Sequence, residues 1–272
     1  MVEELVAIGV RAEAAVWDDP AISWDAYDLV VVRSTWDYVD RRAEFLAWAD
    51  HVPRLANPAD VLRWNTDKHY LAELQSCGVP VAETTWLEPG SDDDLSPLPW
   101  EGTYVVKPAV SASARDTTRY DLADGAGRYA ARAHVARLLR AGRTAMLQPY
   151  LHAVDTNGET SLLFLAGSFS HAARKAAVLA TSATEAAQSS EVITAREPRQ
   201  DELGVAEQAL AAVPGGARRL LYARVDLIDG PDGAPLLLEL ELTEPSLFLA
   251  VDPEAPRRFA AAIASWAEVA GA

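Results

Sequence analysis

Residues 236 to 249 read LLLELELTEPSLFL. Positions two apart in a strand project from the same face, so Glu239 and Glu241 share one side of a leucine-rich run. Like charges placed this way repel and are costly to remove from water. Upstream, RVDLI sets Arg224 and Asp226 on one face of a second apolar strand, and GPDG at 230–233 is a hairpin signal joining the two. Asp226, Glu239 and Glu241 are therefore expected to converge. Three carboxylates so placed raise one another's pKa or need a cation. An all-oxygen donor set suits Mg²⁺, which keeps some waters and shares its shell with substrate phosphates. The plainer alternative is a solvated edge strand; the leucines and the Arg224–Asp226 pair argue against it. Crowding also predicts that neutralising any one acid leaves the metal-free protein no less stable.

Cations form the second group. YVVKPA sets Lys107 in an apolar strand, where an unpaired ammonium is expensive, whereas Lys68 follows Asn65 on a helix and a solvated role is open to it. Both are point charges of the kind that bind phosphate. Other chemistries find less support. No glycine precedes a lysine, which excludes a P-loop, and no G-x-S-x-G elbow occurs. Gly125 to Ala130 fit a loose dinucleotide fingerprint, but the preceding TTRYDL is too polar for a buried parallel strand and reads as the approach to a helix start. Five scattered histidines and a single cysteine give no zinc spacing.

The elements that position these groups alternate. Strands are expected at 12–17, 28–34, 81–88, 103–110, 144–151, 219–228 and in the quoted stretch, with two more around Gly167 in 161–178. Helices are expected at 41–52, 57–78, 127–142, 201–213 and 256–270. Residues 89–102 read as a linker loop, and 179–190 as a small, polar, mobile run. The first residues look like the tail of a helix, so the N-terminal lobe is expected to lack its usual first strand, through either a late gene start or a trimmed lobe.

A chain of 272 residues holds one large domain or two to three lobes. No apolar run is long enough for a bilayer, and no basic start precedes a signal-like stretch. Forty acids against 24 bases give a net charge of −16, which disfavours nucleic acid and anionic membranes as partners. The lone Cys77 suits a reducing cytoplasm and reads as a small core residue.

The order of parts — Asn65 to Lys68 helix, VVKP strand, QPY hinge, R-x-D strand, E-x-E strand — resembles the ATP-grasp superfamily over roughly residues 57 to 250. The resemblance implies an α/β fold with α+β lobes: an N-terminal substrate lobe (1–57), a central lobe (58–147) and a C-terminal lobe (148–272) with the metal and catalytic residues. It implies ATP with a pair of Mg²⁺ ions. Lys68 and Lys107 match the lysines on the α- and β-phosphates, and Ser111 and Ser113 a loop folding over them. Gln148, Tyr150 and Leu151 match the adenine hinge. Glu159 matches the ribose acid, with Asp155 as fallback. Asp226, Glu239 and Glu241 match the Mg²⁺ ligands, although most members carry Asn at the last position. Arg224 matches the arginine that stabilises the transition state, and Arg174 and Lys175 lie where members place a further cation.

Within the superfamily, VVVRSTWDY (30–38) and ELELTEPSLF (239–248) are similar to the D-cycloserine synthetase (O-ureido-D-serine cyclo-ligase) branch, itself related to the ribosomal-protein glutamylating ligases. Arg33 ends a strand and can fork onto a carboxylate, with Ser34, Thr35 and Asp37 orienting an amine; a capped helix start with Trp36 in the core is the alternative. Thr243 to Ser246 are expected to line the same cleft from the metal side. The implied activity is an ADP-forming carbon–nitrogen ligase acting on a small amino-acid-like substrate. A small-molecule kinase and a nucleotide-binding module without turnover are the alternatives. A homodimer is allowed, and nothing in the sequence requires it.

Overall fold

The computed structural model describes residues 1–90, 101–112, 114–176 and 192–270. Expectations for Ser113, most of the 89–102 loop, 177–178 and the 179–190 run lie outside the described residues. Three sheets organise the chain. Parallel strands β1 (Val30–Val31) and β2 (Leu55–Ala56) make the first. Strands β3 (Thr85–Leu87), β4 (Thr103–Pro108), β5 (Thr118–Asp121) and β6 (Ala145–Pro149) make an antiparallel second, in the order β3-β6-β4-β5. Strands β7 (Glu159–Leu165), β8 (Ser168–Lys175), β9 (Ile193–Arg196), β10 (Tyr222–Asp229) and β11 (Pro235–Glu241) make an antiparallel third, in the order β11-β10-β7-β8-β9.

The third sheet is packed on both faces, which alternation along its strands makes possible. Leu162 and Phe164 of β7 join Ala223, Val225 and Leu227 of β10 in the main core beneath the helices Ala59–Asn65, Tyr70–Ser76 and Gln200–Ala211. Leu163, Leu165 and Tyr222 face the other way, onto the C-terminal helix Ala255–Ala270. Arg224 and Asp226, between these layers in sequence, remain on the Tyr222 side and reach the cleft between the second and third sheets. In the second sheet, the helix Gly125–Arg140 starts on a cap: the Asp124 carboxylate accepts from the Gly127 amide at 2.9 Å. A Cβ on Gly127 would lie 2.0 Å from the Asp121 carbonyl oxygen, so glycine lets the helix start against β5. The loose dinucleotide pattern is this helix start.

Several expectations are corrected. Residues 12–17 are not a strand; Ala14, Ala15 and Val16 are exposed, and the Val16 carbonyl accepts from the Asp19 amide at 3.1 Å in a turn. The 57–78 helix is two helices, because the chain turns at Thr66–His69 and the Lys68 amide donates to the Ala109 carbonyl at 3.0 Å. Strand β9 was not anticipated. Cys77 is exposed just past the helix Tyr70–Ser76, not in the core. No helix among the described residues is long and apolar enough to cross a membrane.

Candidate active site

The hairpin β10–β11 delivers the acids. Its register sets Asp226 opposite Glu239 and Arg224 opposite Glu241, with a bulge between Asp226 and Leu227. The bulge resets the alternation: Leu237 is in the main core, while Leu236 and Leu238 join a satellite apolar cluster and Glu239 and Glu241 line the cleft. The outer edge of β11 is covered. Asn65 Nδ2 donates to the Leu240 carbonyl at 2.7 Å, Asn65 Oδ1 accepts from the Leu242 amide at 2.7 Å, and the Tyr70 hydroxyl accepts from the Leu240 amide at 3.0 Å.

Each acid on this face meets a cation. Arg224 and Asp226, 6 % and 2 % exposed, pair at 2.9 Å, and Arg224 also pairs with Glu241. Ser161 Oγ donates to Asp226 at 2.6 Å. Lys68, buried, reaches Glu239 at 2.9 Å and the Ser111 carbonyl at 2.8 Å. Burial opposes ionisation of Glu239, but Lys68 and Lys107 overcome it and hold its pKa down to about 2. Burial raises Glu241 to about 7 in spite of Arg224, with Glu239 and Asp226 adding to the rise. Lys107 is buried at the same end, and burial lowers its pKa against the pull of Glu239. Among the described residues it has no carboxylate within 4.0 Å. Here, too, the sequence reading needs correcting: among the described residues no three acids form a ready-made metal cage. The carboxylates are strung along one face with cations between them. The set still fits Mg²⁺, since it is all oxygen, two members sit in register, and positions remain for water and phosphate.

The cleft holds about 550 Å³. At its far end Ala82, Val105, Leu151, Val154, Ile228 and Leu238 make apolar walls, with Gln148 and Tyr150 alongside. Gln148 donates to Thr84 Oγ1 at 2.9 Å. Strand alternation separates Lys175 from Arg174. Lys175 and Glu159 line the cleft and pair at 3.2 Å, whereas Arg174 turns away to the Thr156 carbonyl. Burial raises the pKa of Glu159 against Lys175. Asp155 lies outside the cleft and accepts from the Tyr150 hydroxyl.

Towards the N-terminal sheet the cleft is lined by Trp36, Tyr38, Thr243, Glu244 and Ser246. Arg33 and Thr35 stand behind this wall: Arg33 Nη1 and Thr35 Oγ1 are buried without a hydrogen-bond partner, and the Arg33 guanidinium lies 5.7 Å from the Tyr222 ring centroid. Ser34 turns the chain at φ 58° and is exposed. Asp37 is not in the cleft; it accepts from Trp17 Nε1 at 3.1 Å and pairs with Arg41 at 3.7 Å, which removes it from amine binding. Trp36 is 55 % exposed rather than in the core. Sequence reasoning placed Glu244 only within the Thr243 to Ser246 run expected to line the cleft, and gave Tyr38, in the short helical turn Trp36–Val39, no role.

Two antiparallel sheets around a cleft of lysines, an arginine and in-register acids define an ATP-grasp ligase. Among solved structures, the chain is similar to the crystal structure of D-cycloserine synthetase DcsG, with TM-score 0.84 and 38 % identity over 97 % of this chain and 92 % of that one. It is similar in fold to the ATP-grasp ligase PsnB complexed with a phosphomimetic variant of minimal precursor, Mg and ADP, with TM-score 0.65 and 17 % identity over 98 % and 93 %. The cycloserine biosynthesis protein DcsG of Streptomyces lavendulae is 41 % identical over 97 % of this chain and 91 % of its own length. The family model described as D-cycloserine synthetase DcsG, N-terminal domain, matches residues 1–57. The chain belongs to the D-cycloserine synthetase family.

Proposed function

We propose that this chain uses ATP and Mg²⁺ to close the ring of O-ureido-D-serine. The observation that most supports the reading is the facing set on β10 and β11, Arg224–Asp226 against Glu241–Glu239, with Lys68 and Lys107 at the same end of one cleft. The substrate carboxylate attacks the γ-phosphate to give an acyl-phosphate and ADP. The nitrogen on the side-chain oxygen then displaces phosphate and closes the ring. Most of the catalysis asked of such a protein is positioning and electrostatic stabilisation.

In this reading Lys68 and Lys107 hold the α- and β-phosphates, and Ser111 and Ser113 belong to the loop over them. Gln148, Tyr150 and Leu151 take the adenine, and Glu159 the ribose. Arg224 stabilises charge on the transferring phosphoryl group, with Lys175 as a further cation. Asp226, Glu239 and Glu241 are the ligands for Mg²⁺, which when bound supplies charge neutralisation and orients phosphate oxygens. Thr243 and Ser246 face the amino-acid substrate, and Arg33 and Thr35 back the same wall. The lobes are 1–57, 58–147 and 148–272, one around each sheet, although the helices Ala59–Asn65 and Tyr70–Ser76 bury their apolar faces on the third sheet.

Incubation with ATP, Mg²⁺ and O-ureido-D-serine should release ADP in step with a cyclic product. A stable phosphorylated product would mean a kinase. No ADP release with this substrate would sink the reading.

A further inference from the structure

Among the described residues, five carboxylates line the cleft: Glu159, Asp226, Glu239, Glu241 and Glu244. The first four pair with Lys175, Arg224, Lys68 and Arg224 in turn. Glu244 is the exception. It is 7 % exposed, and among the described residues no lysine, arginine or histidine lies within 4.0 Å of it. A buried carboxylate without a cation is expensive, and it either takes a proton or meets a positive ligand. Burial pushes the pKa of Glu244 up to about 8, Glu241 adds to the rise, and Arg33, Arg224 and a hydrogen bond from Trp36 oppose it. On the same side, Arg33 Nη1 and Thr35 Oγ1 are buried donors with nothing to donate to. A cleft-lining acid without an ion-pair partner leaves this end of the cleft complementary to an ammonium group, with two unpaired donors behind the same wall.

We infer that Glu244 is the specificity-determining carboxylate for the α-ammonium group of the substrate. The inference rests on the ligase reading for its substrate class and assigns a partner to a group that reading leaves without one, the free α-amine of the bound molecule. An α-ammonium seated on Glu244 is an alkylammonium that stays out of the reaction and lies three residues along the chain from Glu241, so that recognition and phosphoryl transfer occupy neighbouring parts of one wall.

The test compares O-ureido-D-serine with its des-amino analogue, binding each by calorimetry in the presence of Mg²⁺ and a non-hydrolysable ATP analogue. Wild-type protein should prefer the amine-bearing molecule by about 10- to 100-fold, the scale of a charge-assisted hydrogen bond. Glu244→Gln should lose that preference while binding the des-amino analogue and the nucleotide as before. Glu244→Asp, which keeps the charge, should recover part of it. Equal binding of the two molecules by the wild type, retention of the preference by Glu244→Gln, or parallel loss of both molecules together with nucleotide would overturn the inference. Wild-type turnover is measured separately. Binding with the amine preference but without ADP release would sink the ligase reading and leave Glu244 standing; turnover with an unaffected preference in Glu244→Gln would do the reverse.

Discussion

At the scale of residues, the acids of the β10–β11 hairpin are neutralised by cations, and this reverses what crowding alone suggested. Asp226→Asn would leave Arg224 buried with Glu241 as its remaining carboxylate. We expect it to abolish turnover and to destabilise the metal-free protein by about 3–5 kcal/mol, the cost of breaking one partner of a buried pair. Glu241 differs, because burial already raises its pKa to about 7 in spite of Arg224. Glu241→Asn should keep measurable turnover, need more Mg²⁺ and lose less stability. Urea unfolding and the Mg²⁺ dependence of ADP release check both; equal losses in the two variants would refute the distinction. Glu244 gives a pH signature. Burial raises its folded pKa to about 8, above the unfolded value near 4.5, so the folded state holds this proton more tightly. Its contribution to stability is fully present below about pH 4.5 and is lost as pH rises through about 8. Melting temperatures of wild type should therefore fall relative to Glu244→Gln between pH 5 and 8.5, and parallel curves would contradict this. The same-face rule for strands was enough to find Asp226, Glu239 and Glu241. It could not choose Lys175 over Arg174, because the parity that faces the cleft is set by pairing with distant strands, nor Glu159 over Asp155, because Asp155 lies in the short helix Ala153–Asn157, where that rule does not apply. Asp37 was misplaced because its neighbour Ser34 turns the chain at positive φ, where no period can be read.

At the scale of elements, the hairpin was legible from GPDG and two apolar runs, and its bulge was not. Strict alternation would put Leu237 on the face of Glu239, yet Leu237 is in the main core. Also invisible in sequence was what covers the edge strand. Asn65 reads as an ordinary helix residue, but its amide replaces a missing twelfth strand for the Leu240 carbonyl and the Leu242 amide. This is why the helix breaks immediately afterwards and Lys68 points into the cleft. Asn65→Ala should leave two buried backbone groups without partners, each costing about 1–3 kcal/mol. Thermal unfolding should show the loss, and nucleotide affinity should fall with it, since Lys68 follows three residues later. A variant that loses stability with unchanged nucleotide affinity would mean that the cap and the lysine are uncoupled.

At the scale of the whole molecule, charge works in two directions. The chain carries −16 overall, while Lys68, Lys107, Lys175 and Arg224 gather at one cleft. Composition gave the first fact and could not give the second, since residues 68, 107, 175 and 224 meet only when the second and third sheets come together. Which field governs nucleotide entry depends on range. Screening acts over about 10 Å at 0.1 M salt, so at that strength an approaching nucleotide senses mainly the cleft, and at 0.01 M, where the range is about 30 Å, it senses the whole surface. Magnesium–ATP is itself anionic, so lowering the salt exposes it to long-range repulsion from the acidic surface. We expect its association rate to rise about two- to tenfold between 0.01 and 0.1 M salt, measured by stopped-flow fluorescence of a labelled ATP analogue, and then to level off or fall as the cleft cations are screened in turn. Lys107→Met should keep the rise and lower the affinity, because the buried ammonium acts at short range. A rate that falls monotonically from the lowest salt would show that the cleft cations dominate at every distance.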